Sequence, residues 1–159
     1  QVLIINKHQR DRFSKKIINI IRKENLEPKV LLLGWAFKKD TNDTRESAAI
    51  YVAKNLLKNN IKIDVYDPKV AEHQINFDLL NIDPNYDKSS LKFVEEPFLN
   101  ISEYNIISIM TEWNEFKAFD WEIIYKKIKK PVYIFDGRNI LNSKKIKNIG
   151  FNYIGLGRK

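Results

Sequence analysis

The sequence predicts an α/β protein: an open, mostly parallel sheet flanked by helices and preceded by a long N-terminal helix. Three observations carry this. Short runs that are apolar at every position, such as Val30-Leu31-Leu32-Leu33, have the character of strands buried on both faces. Other stretches place apolar residues at helical spacing. The two kinds alternate along the chain, as parallel neighbours joined by helical crossovers require.

Residues 1–24 contain neither Gly nor Pro, and Phe13, Ile17, Ile20 and Ile21 recur at helical spacing, so this stretch is predicted as one long helix ending before Pro28. The first strand runs from Val30 to Gly34, and a polar loop follows. Asp43-Thr44-Arg45-Glu46 is expected to start the next helix, with Asp43 as N-cap, Glu46 in the reciprocal position, and Ala49, Val52, Ala53, Leu56 and Leu57 as the buried stripe. Asn59-Asn60 ends it. A strand over 62–66 leads through Asp67-Pro68 into a helix over 71–80, and an irregular polar connection reaches a strand over 91–94. A short helical segment is expected over 97–101 and a strand over 105–110. A helix over 115–129 carries Phe116, Phe119, Ile123, Ile124 and Ile128 on one face. A strand over 132–135, a short helix over 143–148 and a strand over 151–154 complete the order. No internal repeat or low-complexity tract interrupts it.

A chain of 159 residues, 43% hydrophobic and 30% charged, fits one domain able to bury about two-thirds of its unfolded surface. The longest apolar run, residues 30–37, contains Gly34 and ends in Lys38-Lys39, well short of the roughly 20 residues that span a bilayer. The chain opens with Gln1 and reads as an internal piece of a longer protein. With no cysteine there is no disulfide, thiolate metal site or cysteine nucleophile, and a cytoplasmic setting is expected. Two histidines, His8 and His73, are little material for a zinc site or a catalytic triad, so neither a metal nor catalysis by these residues alone is expected.

The net charge of +8 favours an anionic partner. Much of the excess, at Lys126, Lys127, Lys129, Lys130, Lys144, Lys145 and Lys147, lies in amphipathic stretches and reads as solvated helix surface. In an open α/β sheet the loops leaving the C-terminal strand ends gather on one edge, where ligands bind. That edge should bring together Lys38, Lys39, Arg45 and Arg138. Arg45 in the first turn of a helix would oppose the macrodipole at a cost of about 0.3–1 kcal/mol unless offset. Either a bound anion or an ion pair with Asp40, Asp43 or another loop acid would offset it. Arg138 follows Gly137, and its planar fork suits a diphosphate, with Asp136 as the internal alternative. Lys38-Lys39 also reads as a plain solvated pair, and Phe37, Trp35 and Trp113 read first as packing groups. The dinucleotide fingerprint is missing, because Gly34 is the only glycine of its loop and Asp67 lies 33 residues beyond it, not about 20. Walker, metalloprotease, EF-hand and nucleophile-elbow patterns are missing too.

The segments LLLGWAFKKDTNDTRESAAIYVAKNLL, VYDPKV, MTEWNEF, FDGRNIL and GFNYIGLGR, in this order and spacing, resemble the C-terminal domain of the UDP-glucose/GDP-mannose dehydrogenase family. Thr111-Glu112-Trp113 and Lys39-Asp40-Thr41 favour the UDP-glucose branch over the UDP-N-acetylmannosamine and GDP-mannose branches. The resemblance implies a Rossmann-like UDP-binding C-terminal domain over 28–159 and, over 1–27, a helix from the end of a central domain. It implies oxidation of the 6-hydroxyl of UDP-glucose twice, to UDP-glucuronate, with two NAD+. The NAD is bound mainly by an N-terminal domain, and a catalytic cysteine is carried by the central domain. By match to the family's motifs, Phe37, Lys38 and Arg138 are implied as UDP-sugar contacts and Arg45 as a contact to the NAD pyrophosphate. Trp35 and Asn42 are small departures. Partners so implied are UDP-glucose, the upstream domains and further copies of the same chain. The rival reading of the +8 charge is a nucleic-acid-binding module. It lacks a binding motif, and its cations are split between helix faces and loops, so neither nucleic acid nor membrane is expected as a partner.

Overall fold

A computed structural model describes residues 5–157. Six parallel strands form one sheet: β1 (Lys29–Leu33), β2 (Lys62–Tyr66), β3 (Leu91–Phe93), β4 (Ile106–Ile109), β5 (Tyr133–Asp136) and β6 (Asn152–Gly155), in the order β3-β2-β1-β4-β5-β6. The helices are α1 (Lys7–Lys23), α2 (Ala48–Lys58), α3 (Glu72–Ile82), α4 (Asn114–Ala118), α5 (Trp121–Lys127) and α6 (Ser143–Ile149). The predicted alternation and parallel sheet are present. Val30 to Leu33, Ile106, Ile107 and Ile109 are wholly buried, as strands covered on both faces must be.

From β1 the chain first moves outward through β2 and β3, then returns to the centre and moves the other way through β4, β5 and β6. Right-handed crossovers therefore place α2 and α3 on one face and α4 to α6 on the other. This leaves the β4–β6 half of the first face without a crossover helix. Helix α1 fills that space: it packs along α2, and Phe13 meets the Phe135 ring edge-on at 6.1 Å between centroids. Phe13, Ile17, Ile18 and Ile21 all belong to the common core.

Four expectations are corrected. The first helix begins at Lys7, because Asn6 is extended and closes a capping box with Gln9; residues 1–4 of the predicted helix lie outside the described residues. Helix α2 begins at Ala48, with Ser47 as its cap, and not after Asp43. Asp43 instead bonds the main chain and side chain of Arg45, and Glu46 has φ +61°, which is incompatible with a helical turn. The predicted 115–129 helix is two helices. Asp120 accepts the Ile123 N–H as a new cap, while Phe119 leaves the helix to pack on Phe98 at 4.7 Å. The stretch near 97–101 is turn followed by a single 3₁₀ turn, Ile101–Glu103.

A carboxylate of β2 lies inside the sheet layers. Asp64 of β2 is 5% exposed, accepts the Tyr104 hydroxyl and lies 3.7 Å from Lys29 Nζ. Burial first, and Asp64 second, push the Tyr104 hydroxyl above its ordinary pKa.

Because α1 supplies the cover for β5, Phe13→Ala should cost about 3–5 kcal/mol, the range for removing a buried aromatic ring. Urea unfolding followed by tryptophan fluorescence measures it.

Candidate functional site

The strand register lines up Leu33, Tyr66, Ile109, Asp136 and Gly155 across the sheet, so the loops after β1, β2, β4 and β5 share one rim. The topological switch between β1 and β4 lies at its centre, where ligand crevices form in sheets of this order.

Here the protein fills much of that crevice itself. Trp35 is wholly buried, and its indole N–H donates to Asp78 at 2.9 Å. Gly34 has φ +99°, and a Cβ on it would lie 2.5 Å from the Thr111 side chain, so only glycine fits. The Thr111 hydroxyl donates to the Ala36 carbonyl at 2.7 Å, joining the β4 loop to the β1 loop. Asp67, at the end of β2, is 4% exposed and takes five N–H groups. Trp35 N, Ala36 N and the Trp113 indole reach Oδ2 at 2.7, 3.0 and 3.2 Å, and Lys69 N and Val70 N reach Oδ1 at 2.8 and 3.0 Å. Asp136, at the end of β5, is wholly buried and takes Arg138 N, Leu141 N and the Tyr153 hydroxyl. A carboxylate offers only acceptors, and each of these two is surrounded by donors.

The cations stand on this frame. The Phe37 N–H donates to the Asp43 carbonyl at 2.8 Å, which closes a small loop carrying Lys38 and Lys39 at its tip. Both lysines are exposed. Among the described residues no carboxylate pairs with either ammonium. Arg138 is half-buried as a residue, with its side chain 6% exposed. Nη1 donates to the carbonyls of Phe37 at 3.2 Å and Met110 at 3.4 Å, and Nη2 to Glu112 at 2.8 Å. Glu112, not Asp136, is therefore its internal partner. Burial lowers the guanidinium pKa, while Glu112 and Asp136 oppose the shift.

The Arg138 guanidinium thus reaches the main chain of Phe37, one residue before Lys38, although 101 residues separate Phe37 from Arg138. Arg45 stands apart, 89% exposed and paired with Asp43 at 2.9 Å, one of the two arrangements the sequence left open. Since Arg45 precedes α2, the macrodipole argument does not apply to it. It borders, with Phe37, a groove of about 690 Å3 between this loop and α3, whose wall includes the exposed Phe77. Trp35 and Trp113 are packing groups, as expected. Sequence reasoning missed Asp67, Asp136 and Glu112 as the frame. An acidic residue followed by Pro or Gly straight after an apolar run is an available signal for the first two.

The profile of the UDP-glucose/GDP-mannose dehydrogenase family, UDP binding domain, matches residues 31–143. The chain belongs to this family. A UDP-glucose 6-dehydrogenase of Drosophila melanogaster is 39% identical over 163 residues, covering 100% of this chain and 34% of that protein. One from Gallus gallus is 39% identical over 164 residues, covering 100% of this chain and 33% of its own length. The chain thus spans about a third of the length of these relatives. Among solved structures, a UDP-glucose dehydrogenase from Pyrobaculum islandicum shares the fold with a TM-score of 0.69 at 23% identity, over 97% of this chain and 31% of that one.

Asp67→Asn would turn an NH2 group toward N–H donors and should lower unfolding free energy by about 3 kcal/mol, read from chemical denaturation. Arg45 beside it, first through its side chain and then its main chain, holds the Asp43 carboxyl at about 2, against 3.8 ordinarily. A depressed carboxyl pKa stabilises the folded state above 3.8 and loses that contribution as pH falls toward 2. Because the pair is exposed, the effect on stability is small and salt-screened. NMR titration should find Asp43 near 2 and, in Arg45→Ala, back toward 3.8.

Proposed function

We propose that this chain is the sugar-nucleotide-holding domain of an enzyme that oxidises the 6-hydroxyl of UDP-glucose to a carboxylate in two steps, consuming two NAD+. The observation that carries the reading is the Arg138 guanidinium donating to the Phe37 carbonyl, one residue before the exposed Lys38, in a chain 39% identical along its whole length to a UDP-glucose 6-dehydrogenase.

In this reading the exposed Lys38 ammonium neutralises phosphate charge, and Arg138 supplies hydrogen bonds through the N–H groups that the protein leaves uncommitted. Phe37 is half-buried and lines the neighbouring groove. Fixing the nucleotide at this remote end positions the sugar carbon and turns binding energy toward the chemical step.

NAD accepts the hydride when bound, but the β1 loop of this chain does not fit a dinucleotide. Trp35 occupies its interior, and the Trp35 and Ala36 N–H groups are taken by Asp67. The cofactor and the catalytic cysteine therefore belong to upstream domains of the same polypeptide, with residues 1–27 continuing from the central one. Arg45, being exposed, reaches across to the cofactor's pyrophosphate. The whole enzyme works in the cytoplasm as a homo-oligomer.

In the full-length enzyme, Lys38→Ala and Arg138→Ala should each raise the UDP-glucose KM about tenfold or more, the worth of a charge-assisted hydrogen bond. Arg45→Ala should raise the NAD KM instead. Steady-state kinetics with each ligand varied in turn tests this; unchanged constants for both ligands in all three variants would contradict it.

A further inference from the structure

Glu112 has no part in the reading above, yet among the described residues it is the carboxylate that touches both cation-bearing loops. It lies three residues beyond the end of β4. Its Oε1 accepts the Lys39 main-chain N–H at 3.0 Å, and its Oε2 accepts Arg138 Nη2 at 2.8 Å. Its side chain is 18% exposed, against 6% for that of Arg138. With Nη1 committed to Phe37 and Met110, three of the five N–H groups of Arg138 have protein partners. The Nε–H and one Nη2–H remain for a ligand.

We propose that Glu112 is a positioning residue of the sugar-nucleotide site. It holds the Arg138 fork in one orientation and the main chain under Lys38-Lys39 at a set distance from it, so that both cations meet one nucleoside diphosphate together. The inference rests on the functional reading above and assigns Glu112 no contact with the reacting atoms.

A counter-ion role makes the opposite prediction. As a mere neutraliser of Arg138, Glu112 would weaken anion binding, and its removal would expose a full positive charge and tighten the hold on phosphate. As a positioning residue it strengthens binding despite its negative charge. Without it the guanidinium loses one anchor and the Lys39 end of the β1 loop one of its ties to the β4 loop, so more of their ordering falls to the ligand. The sign of the change separates the two roles.

The test uses the full-length enzyme with Glu112→Gln, Glu112→Asp and Glu112→Ala, measuring UDP binding by calorimetry and the KM and kcat for UDP-glucose and NAD. Glu112→Gln and Glu112→Ala should bind UDP at least tenfold more weakly. Their UDP-glucose KM should rise by a larger factor than kcat falls, with the NAD KM unchanged. Glu112→Asp, which keeps the charge on a shorter arm, should fall between them and the parent. Should Glu112→Ala fail to fold, the near-isosteric Glu112→Gln carries the test, with circular dichroism confirming that it is folded. Tighter or unchanged UDP binding by folded Glu112→Gln overturns the proposal, and so does an equal loss of affinity for UDP and NAD. Absence of UDP binding by the parent enzyme would instead overturn the functional reading on which the proposal rests. Lys127→Ala, in the last turn of α5 where the chain returns to the start of β5 at the opposite edge of the sheet, serves as the charge-removal control and should change neither ligand.

Discussion

Two buried carboxylates at strand ends hold this molecule's working edge together. Asp67 and Asp136 sit at the C-terminal ends of β2 and β5 and accept N–H groups from loops whose backbones have no ladder to join. A loop crossing the end of a parallel sheet carries donors that water cannot reach once the loop is packed, and leaving them unpaired is expensive. An acceptor-only side chain at the point where the chain turns settles that cost for several donors at once. The loops after β1 and β4 are then fixed to each other through Trp113 on Asp67 and Thr111 on Ala36.

This device also shapes the β1 loop of a sheet whose strands follow the dinucleotide-binding order. An acid at the end of β2 commonly faces a ribose in such folds. Here it faces the backbone of its own β1 loop, and Trp35 packs where glycines would let a ligand approach. The crevice is displaced outward, to the level of Phe37, Lys38 and Arg138. There, in the proposed site, a phosphate would meet exposed ammonium groups and a guanidinium already anchored on two carbonyls and one carboxylate.

Arg138 shows why a buried cation can serve at such an edge. With its side chain 6% exposed, it would be costly to bury unpaired; Glu112 supplies the charge and the carbonyls of Phe37 and Met110 the remaining acceptors. Because all three partners lie on different loops from Arg138, the same contacts that compensate its burial determine how the loops sit relative to one another. Helix α1 contributes from beneath: Phe13 lies against Phe135 and close to Gly137, under the turn that carries Arg138.

The sequence by itself determined the alternation of strands and helices, the parallel sheet, and which loops would share an edge. All of these follow from local periodicity and from the geometry of crossovers. It also named Lys38 and Arg138 as neighbours through the fold. It misjudged where α2 begins and where the 115–129 helix breaks, because Asp43 and Asp120 each had two competing roles that only the surrounding packing decided. The partner of Arg138 was decided by tertiary structure as well. Glu112 is 26 residues from Arg138 in sequence, while Asp136 is two, and nothing local favours the distant acid. An ion pair depends on where two side chains end in space, and that position is set by the loops between them, which no short-range pattern encodes.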